Sequence, residues 1–393
     1  MTARCACILW RGTVTLLALS TILLATSNAQ PSVNQRRMAI DPTPILVIAD
    51  DGTEERQFSR IVTRRLDNGT IVVGELGTFE LRLFDSQGRY IRKLAARGKG
   101  PGEISGSFTM VTSNDTIFVF GIAPFSPANV QWFTAEGYVG SLPQLTDNGF
   151  TIQVLDRFQG GRFLVTRGTA GRVMSSSPAL GTLVADSTSF GIREPSREAK
   201  GVDWLAPVIT QWLIGHPWPR GRLATTLSPY VNRPAVTAVA SSDRLWIVNL
   251  ETGEISLRDT DRRELKTIRL PFQTLPFDQK QLELRRQRAL KAAGRPLDSA
   301  RADAMADPAP LPARLPVLAS AIAGVDGEVW LTRFSVDETV PHQILLLDRN
   351  GAVVAVLSYP AGLEIQQIGR DFVTAVGRDD DGLLRVVVHR LRR

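Results

Sequence analysis

A turn triplet followed by a short apolar strand occurs five times in this chain, in fixed register. The triplets are DNG, SND, QGG, SSD and VDG; the strands behind them are TIVVGE (70–75), TIFVFG (116–121), RFLVTR (162–167), RLWIVN (244–249) and EVWLTR (328–333). A second phrase follows four of them: LRLFDSQG (81–88), VQWFTAEG (130–137), ISLRDTDR (255–262) and ILLLDRNG (344–351). The third triplet residue is a ruler, because Gly69, Asp115, Gly161, Asp243 and Gly327 are spaced by 46, 46, 82 and 84 residues. Two steps are one repeat long. The other two hold a repeat plus an insertion, placed at 194–227 and 272–316.

Units of this length built from short antiparallel strands read as propeller blades. The C-terminus supplies three strands of a sixth: LEIQQIG (363–369), DFVTAVG (371–377) and LLRVVVHRL (383–391). It lacks a fourth, and PILVIAD (44–50) is left over at the other end. Pairing the two closes a ring and removes two open sheet edges. The expected fold is therefore all-β: a six-bladed β-propeller of four-stranded antiparallel blades over 44–393, closed by its N-terminal strand. One short helical insertion is expected at 279–293, with Asp278 as cap, Gln281 at the capping-box position, and Gly294 and Pro296 as the stop.

Residues 1–29 carry the pattern of a secretory signal. Arg4 and Arg11 precede an apolar run, 14–25, and Ser27-Asn28-Ala29 offers small residues before a cut. The alternative is an uncleaved anchor, for which the run is short. Both cysteines, Cys5 and Cys7, fall in this segment, so the exported chain has neither a disulfide nor a cysteine metal site. The expected location is periplasmic or extracellular, with no transmembrane segment after cleavage and a linker at 30–43. The formal charge of +7 reads either as a solvated basic surface or as attraction to anionic envelope polymers or headgroups; export argues against nucleic acid.

The run FELRLFDSQGRYIRKLAARGKGPGEI (79–104) resembles the first blade of bacterial six-bladed β-propellers related to NHL-repeat and TolB-like propellers. Members carry an aspartate–glycine turn before G-x-G-P-G-E-F. Gly98, Gly100, Pro101, Gly102 and Glu103 match, and Ile104 stands where Phe is usual. The resemblance implies the fold and little chemistry. Related six-bladed lactonases hold a divalent cation in the central channel on Glu, Asp and Asn oxygens. Glu75 and Asn249 are candidates for such a role, with calcium or another divalent ion as the cofactor of that alternative.

The residues themselves point to binding rather than catalysis. The 98–103 loop is not a P-loop, because no Lys-Ser or Lys-Thr follows it; it reads as a tight connection between blades. His216, His342 and His389 lack metal-ligand spacing, and no G-x-S-x-G elbow is present. The ends of the five strand phrases are Glu75, Gly121, Arg167, Asn249 and Arg333. In a propeller they form a ring at one depth, and two arginines there suit carboxylate or phosphate recognition, unless they emerge into solvent or pair locally. Trp204, Trp212 and Trp218 in the first insertion either bind a sugar or protein or plug a gap between blades. The expectation is an exported, non-catalytic propeller without a cofactor, binding a protein or an anionic or carbohydrate ligand of the envelope. A channel-metal hydrolase or lactonase is the alternative.

Overall fold

The computed structural model describes residues 38–393 except 123–128, 143–144, 149, 168–182, 197–200, 218–222, 228–234, 277, 279, 281–282, 284–313, 336 and 338; for 150, 183–186, 210–217 and 223–227 it describes the backbone only. Five blades follow in chain order. Blade 1 is Ile61–Arg65, Ile71–Glu75, Glu80–Phe84 and Tyr90–Ala95. Blade 2 is Phe108–Ser113, Thr116–Gly121, Val130–Thr134 and Gly137–Leu142. Blade 3 is Phe150–Arg157, Phe163–Arg167, Phe190–Arg193 and Asp203–Trp204, with the short strand Thr146–Asp147 added at its inner edge. Blade 4 is Val236–Ser241, Arg244–Asn249, Glu254–Asp259 and Glu264–Arg269. Blade 5 is Leu318–Ala323, Val329–Arg333, His342–Leu347 and Val353–Tyr359. In blade 6, Leu363–Ile368, Phe372–Arg378 and Leu384–Arg392 are joined by the N-terminal strand Ala39–Ala49. The six inner strands touch in cyclic order, blade 6 meeting blade 1.

The core is divided among the seams. Six hydrophobic clusters occupy the six blade–blade interfaces, one each. Successive residues of one strand serve different seams: Val72 packs toward blade 2, while Ile71 and Val73 pack toward blade 6. A strand with two buried faces must be apolar at every position, which is why the recurring phrases do not alternate.

Ring closure is as expected, but the closing strand begins at Ala39 rather than Pro44. Pro42 and Pro44 are tolerated because this is an outer strand, with irregular pairing between Ile40 and Leu46. Met38 and Ile40 feed the blade 5–6 core, whereas Ile48 feeds that between blades 6 and 1. The first insertion also differs from a plain loop. Asp203–Trp204 is blade 3's outer strand, and Val208–Pro217 and Leu223–Leu227 form a three-stranded sheet with Leu183–Thr188. The second insertion is pinched at its base by Pro276 against Arg314. The helix expected at 279–293 lies outside the described residues, apart from Lys280 and Glu283.

The turn triplets lie on one face, here the lower, where they link blades. Asp115 accepts from the amides of Asp67 and Asn68 (2.6 and 3.2 Å), joining blades 1 and 2. Arg157 lies over Phe118 between blades 2 and 3, and Arg162 reaches Asp261 between blades 3 and 4. Ser241 donates to the Gly324 carbonyl (2.8 Å) and Asp243 meets Arg349 (3.0 Å) between blades 4 and 5. Arg393 grips buried Glu328 with one nitrogen, at 2.8 and 2.9 Å, between blades 5 and 6. Gln367 pairs with both backbone groups of Arg65 between blades 6 and 1. The aspartate in the second phrase has a local cause. Asp85, Asp259 and Asp348 each accept amides two and four residues on, which builds the turn.

Two predictions follow from the seams. Arg393→Ala leaves the buried Glu328 carboxylate without its ion partner and should cost about 3 kcal/mol in denaturant unfolding. The second concerns His389, which is buried and donates through Nδ1 to the Asp41 carbonyl (2.8 Å), its Nε2 having no partner among the described residues. Burial, and then Arg385, push its pKa below the ordinary 6.5, against the opposing pull of Asp41. The unfolded chain therefore binds the proton more readily, and this contribution is full above about pH 6.5 and lost as pH falls. His389→Gln should flatten that acid limb when stability is compared with the parent between about pH 7 and pH 5.

Candidate functional site

Strand direction puts the second-strand ends and the connections between blades on the upper face, opposite the turn triplets. The first insertion begins with the lower-face link between Phe190–Arg193 and Asp203–Trp204; the rest of it, the second insertion and the three-stranded sheet arise from upper-face connections. So does the glycine loop, which is closed on itself: the Gly98 amide bonds the Ile104 carbonyl, and Glu103 accepts from the Gly100 amide (2.7 Å). A side chain on Gly98 would meet the Glu103 carboxylate, the end of a flexible side chain that the Gly100 amide holds in place, so the glycine suits this tight connection.

Three arginines on this face lie on aromatic rings. Arg167, at a strand end in blade 3, sits 4.8 Å from the centroid of Trp204. Asp147, 7% exposed, accepts from the Trp204 indole (2.8 Å) and lies 3.8 Å from Arg167. Arg333, at the equivalent end in blade 5, lies over Phe272 (5.0 Å) and donates to Gln343 (3.1 Å). In blade 1, Arg97 lies over Phe79 (5.3 Å). All three arginines are exposed. A ring-backed guanidinium keeps its in-plane donors for a ligand while losing little further rotamer freedom.

Two of the residues expected from sequence, Arg167 and Trp204, are thus brought together, and Arg333 forms a second unit of the same type. Glu75 serves its own backbone: it is 1% exposed and accepts from the Ser59 amide and hydroxyl (3.0 and 2.5 Å) and the Gly77 amide (2.7 Å). Asn249 accepts from the amides of Glu251 and Thr252, both at 3.0 Å, capping a turn. Trp212 lies in Val208–Pro217, opposite Ala185, with its backbone alone described, and Trp218 is outside the described residues. Arg97, Phe79, Phe272 and Asp147 were not anticipated.

A cavity of about 750 Å3 opens at the blade 6–1 seam, lined by Asp50, Asp51, Ser59, Glu75, Thr78 and Arg82 among others. Its buried charges are committed. Arg82 binds Glu80 (2.6 and 3.0 Å) and the Gln57 carbonyl (2.9 Å). Burial pushes the Glu80 carboxyl up, but Lys93 and Arg82 outweigh it and hold the pKa below the ordinary value. Among the described residues, no group of three or more His, Cys, Asp or Glu side chains converges as a metal site. No helix there is long and apolar enough to cross a membrane.

No family model matches the sequence. No curated protein matches it either. Solved structures do. A member of the DUF4221 family from Bacteroides vulgatus superposes with a TM-score of 0.52 at 8% identity, covering 92% of this chain and 99% of its own. A protein from Bacteroides fragilis described as exported gives 0.46 at 12%, covering 91% and 96%. Virginiamycin B lyase from Staphylococcus aureus gives 0.41 at 10%, covering 91% and 99%. At these identities the DUF4221 likeness shows the fold alone.

Asp147 is the residue on which the blade 3 unit turns. Asp147→Ala leaves the Trp204 indole donor unpaired and releases Arg167, and should destabilise the protein by about 1–2 kcal/mol in urea unfolding.

Proposed function

We propose that this chain is an exported, non-catalytic binding propeller of the NHL and TolB-like type, whose upper face captures an anionic partner of the cell envelope. The observation that carries this reading is the set of exposed, ring-backed arginines in blades 1, 3 and 5, on the face that also bears the second insertion and most of the first. Three separated cations on one rigid face suit a partner with repeated negative charge, a polyanionic glycan or an acidic protein surface, better than one small substrate. The signal pattern of residues 1–29 supports export.

The test is binding of the purified protein to immobilised anionic polysaccharide, with a neutral polysaccharide as control, over a range of salt. Binding should weaken steeply with salt. Arg97→Gln, Arg167→Gln and Arg333→Gln should each cost about fivefold to tenfold, roughly 1–1.4 kcal/mol. Salt-independent binding, or a triple variant that binds like the parent, would defeat the reading. The metal-dependent hydrolase alternative is addressed on the same sample. A stoichiometric divalent ion with lactone hydrolysis lost on chelation would replace the non-catalytic assignment.

A further inference from the structure

The six inner strands hold few charged residues. FTMVTS, VTAVAS and LASAIA of blades 2, 4 and 5 have none, and LEIQQI of blade 6 has only Glu364, which is exposed. In blades 1 and 3 the charged residues are Arg64, Arg65, Asp156 and Arg157. Arg65 is taken up over Phe372 and Arg157 over Phe118, both in the seams. Arg64 and Asp156 remain, and they occupy the same layer of the ring. Strand pairing sets Arg64 opposite Val72 and Asp156 opposite Leu164, equivalent to Val111, Val239, Ile322 and Gln367 in the other blades.

Blades 1 and 3 are not neighbours, so Arg64 and Asp156 sense each other across the channel. No nitrogen–oxygen distance between them is within 4.0 Å. Arg64 donates from Nη1 to the Thr63 carbonyl (2.8 Å), and its Nε and Nη2 edge has no protein partner among the described residues. Asp156 accepts from the Arg157 amide (2.8 Å) and the Ala240 amide (3.3 Å). Each of its oxygens keeps a lone pair free. Burial lowers Arg64 to about 10 and raises Asp156 to about 6, and in each case the mutual attraction opposes the shift without cancelling it. Each residue is half-buried, and the two lie close enough to interact without touching.

We propose that the central channel is a receptor for a small carboxylate, held between the open guanidinium edge of Arg64 and the carboxyl group of Asp156. One ligand oxygen takes the Nε–H and Nη2–H donors, and the other takes the proton of neutral Asp156. Binding then brings in one anion and one proton, so the enclosed group of ligand, Arg64 and Asp156 carries no net charge. A sulfate dianion in the same place would leave uncompensated negative charge between two half-buried groups. Chloride cannot span both donors. No other titratable inner-strand group faces this layer, and Asp156 is therefore the proton acceptor.

The probe is sodium acetate titrated into the purified protein by calorimetry, in two buffers of different ionisation enthalpy, with sodium sulfate and sodium chloride in parallel. Acetate should bind with uptake of about one proton near pH 7.5, and about 20-fold more tightly near pH 5.5. Arg64→Gln should abolish binding. Asp156→Asn keeps a donor and should bind acetate without proton uptake or pH dependence. If Arg64→Gln does not fold, the Asp156→Asn profile decides the matter. Absence of acetate binding at both pH values, binding without proton uptake in the parent, retained binding in folded Arg64→Gln, or equal binding of sulfate would each overturn the proposal. These readouts are independent of the upper-face arginines.

Discussion

A blade with two apolar faces cannot stand alone, and everything in this structure depends on closing the ring that covers them all. Closure rests on one strand. Ala39–Ala49 pairs with Leu384–Arg392, and its residues enter two cores, Met38 and Ile40 on one side and Ile48 on the other. Detaching it would expose apolar surface in two seams and also open an edge on the last blade. The polar groups around it fit this role. Asp41 meets Arg392 (2.8 Å) and accepts from His389. The next residue, Arg393, extends the lock to Glu328 in blade 5. With no cysteine beyond residue 7, non-covalent pairing carries the closure.

Closure also explains why the two faces differ. Lower-face hairpins are wedged against the preceding blade. A side chain at Gly88 would press on Leu46 and Ile48, and one at Gly351 would collide with Ile268. Both glycines have positive φ, 79° and 75°, so the turn and the close approach make the same demand. Upper-face connections carry the longest interruptions of the repeat, anchored at their ends by residues such as Ile104 and Phe272 that pack into the seams. The exposed arginines that lie on aromatic rings are on the face where the repeat is most interrupted.

What was legible in the sequence follows from these constraints. Blade number, ring closure and both insertions could be read because doubly buried strands must be continuously apolar and their turns need Asp or Gly at fixed places. Arg167 and Arg333 could be read because strand ends align once the repeat is aligned. Their partners could not. Trp204 belongs to a two-residue strand, too short to carry a period, and Asp147 to another that lies outside the repeat. Glu75 and Asn249 look like outward-facing oxygens in sequence, but adjacent amides claim them. Neither bond leaves a mark that spacing can show.

Arg64 and Asp156 were hidden for a different reason. They belong to blades that do not touch, and their relation exists only across the axis. Other polar groups near the axis have structural tasks: Gln367 replaces a missing strand partner for Arg65, and Ser241 ties blade 4 to blade 5. At three equivalent positions the fold is satisfied with Val111, Val239 and Ile322. An apolar layer would close this level at lower cost than two half-buried charges held out of contact. The ring does not need the pair. A separated arginine and acid in such a place make physical sense when a third group completes them.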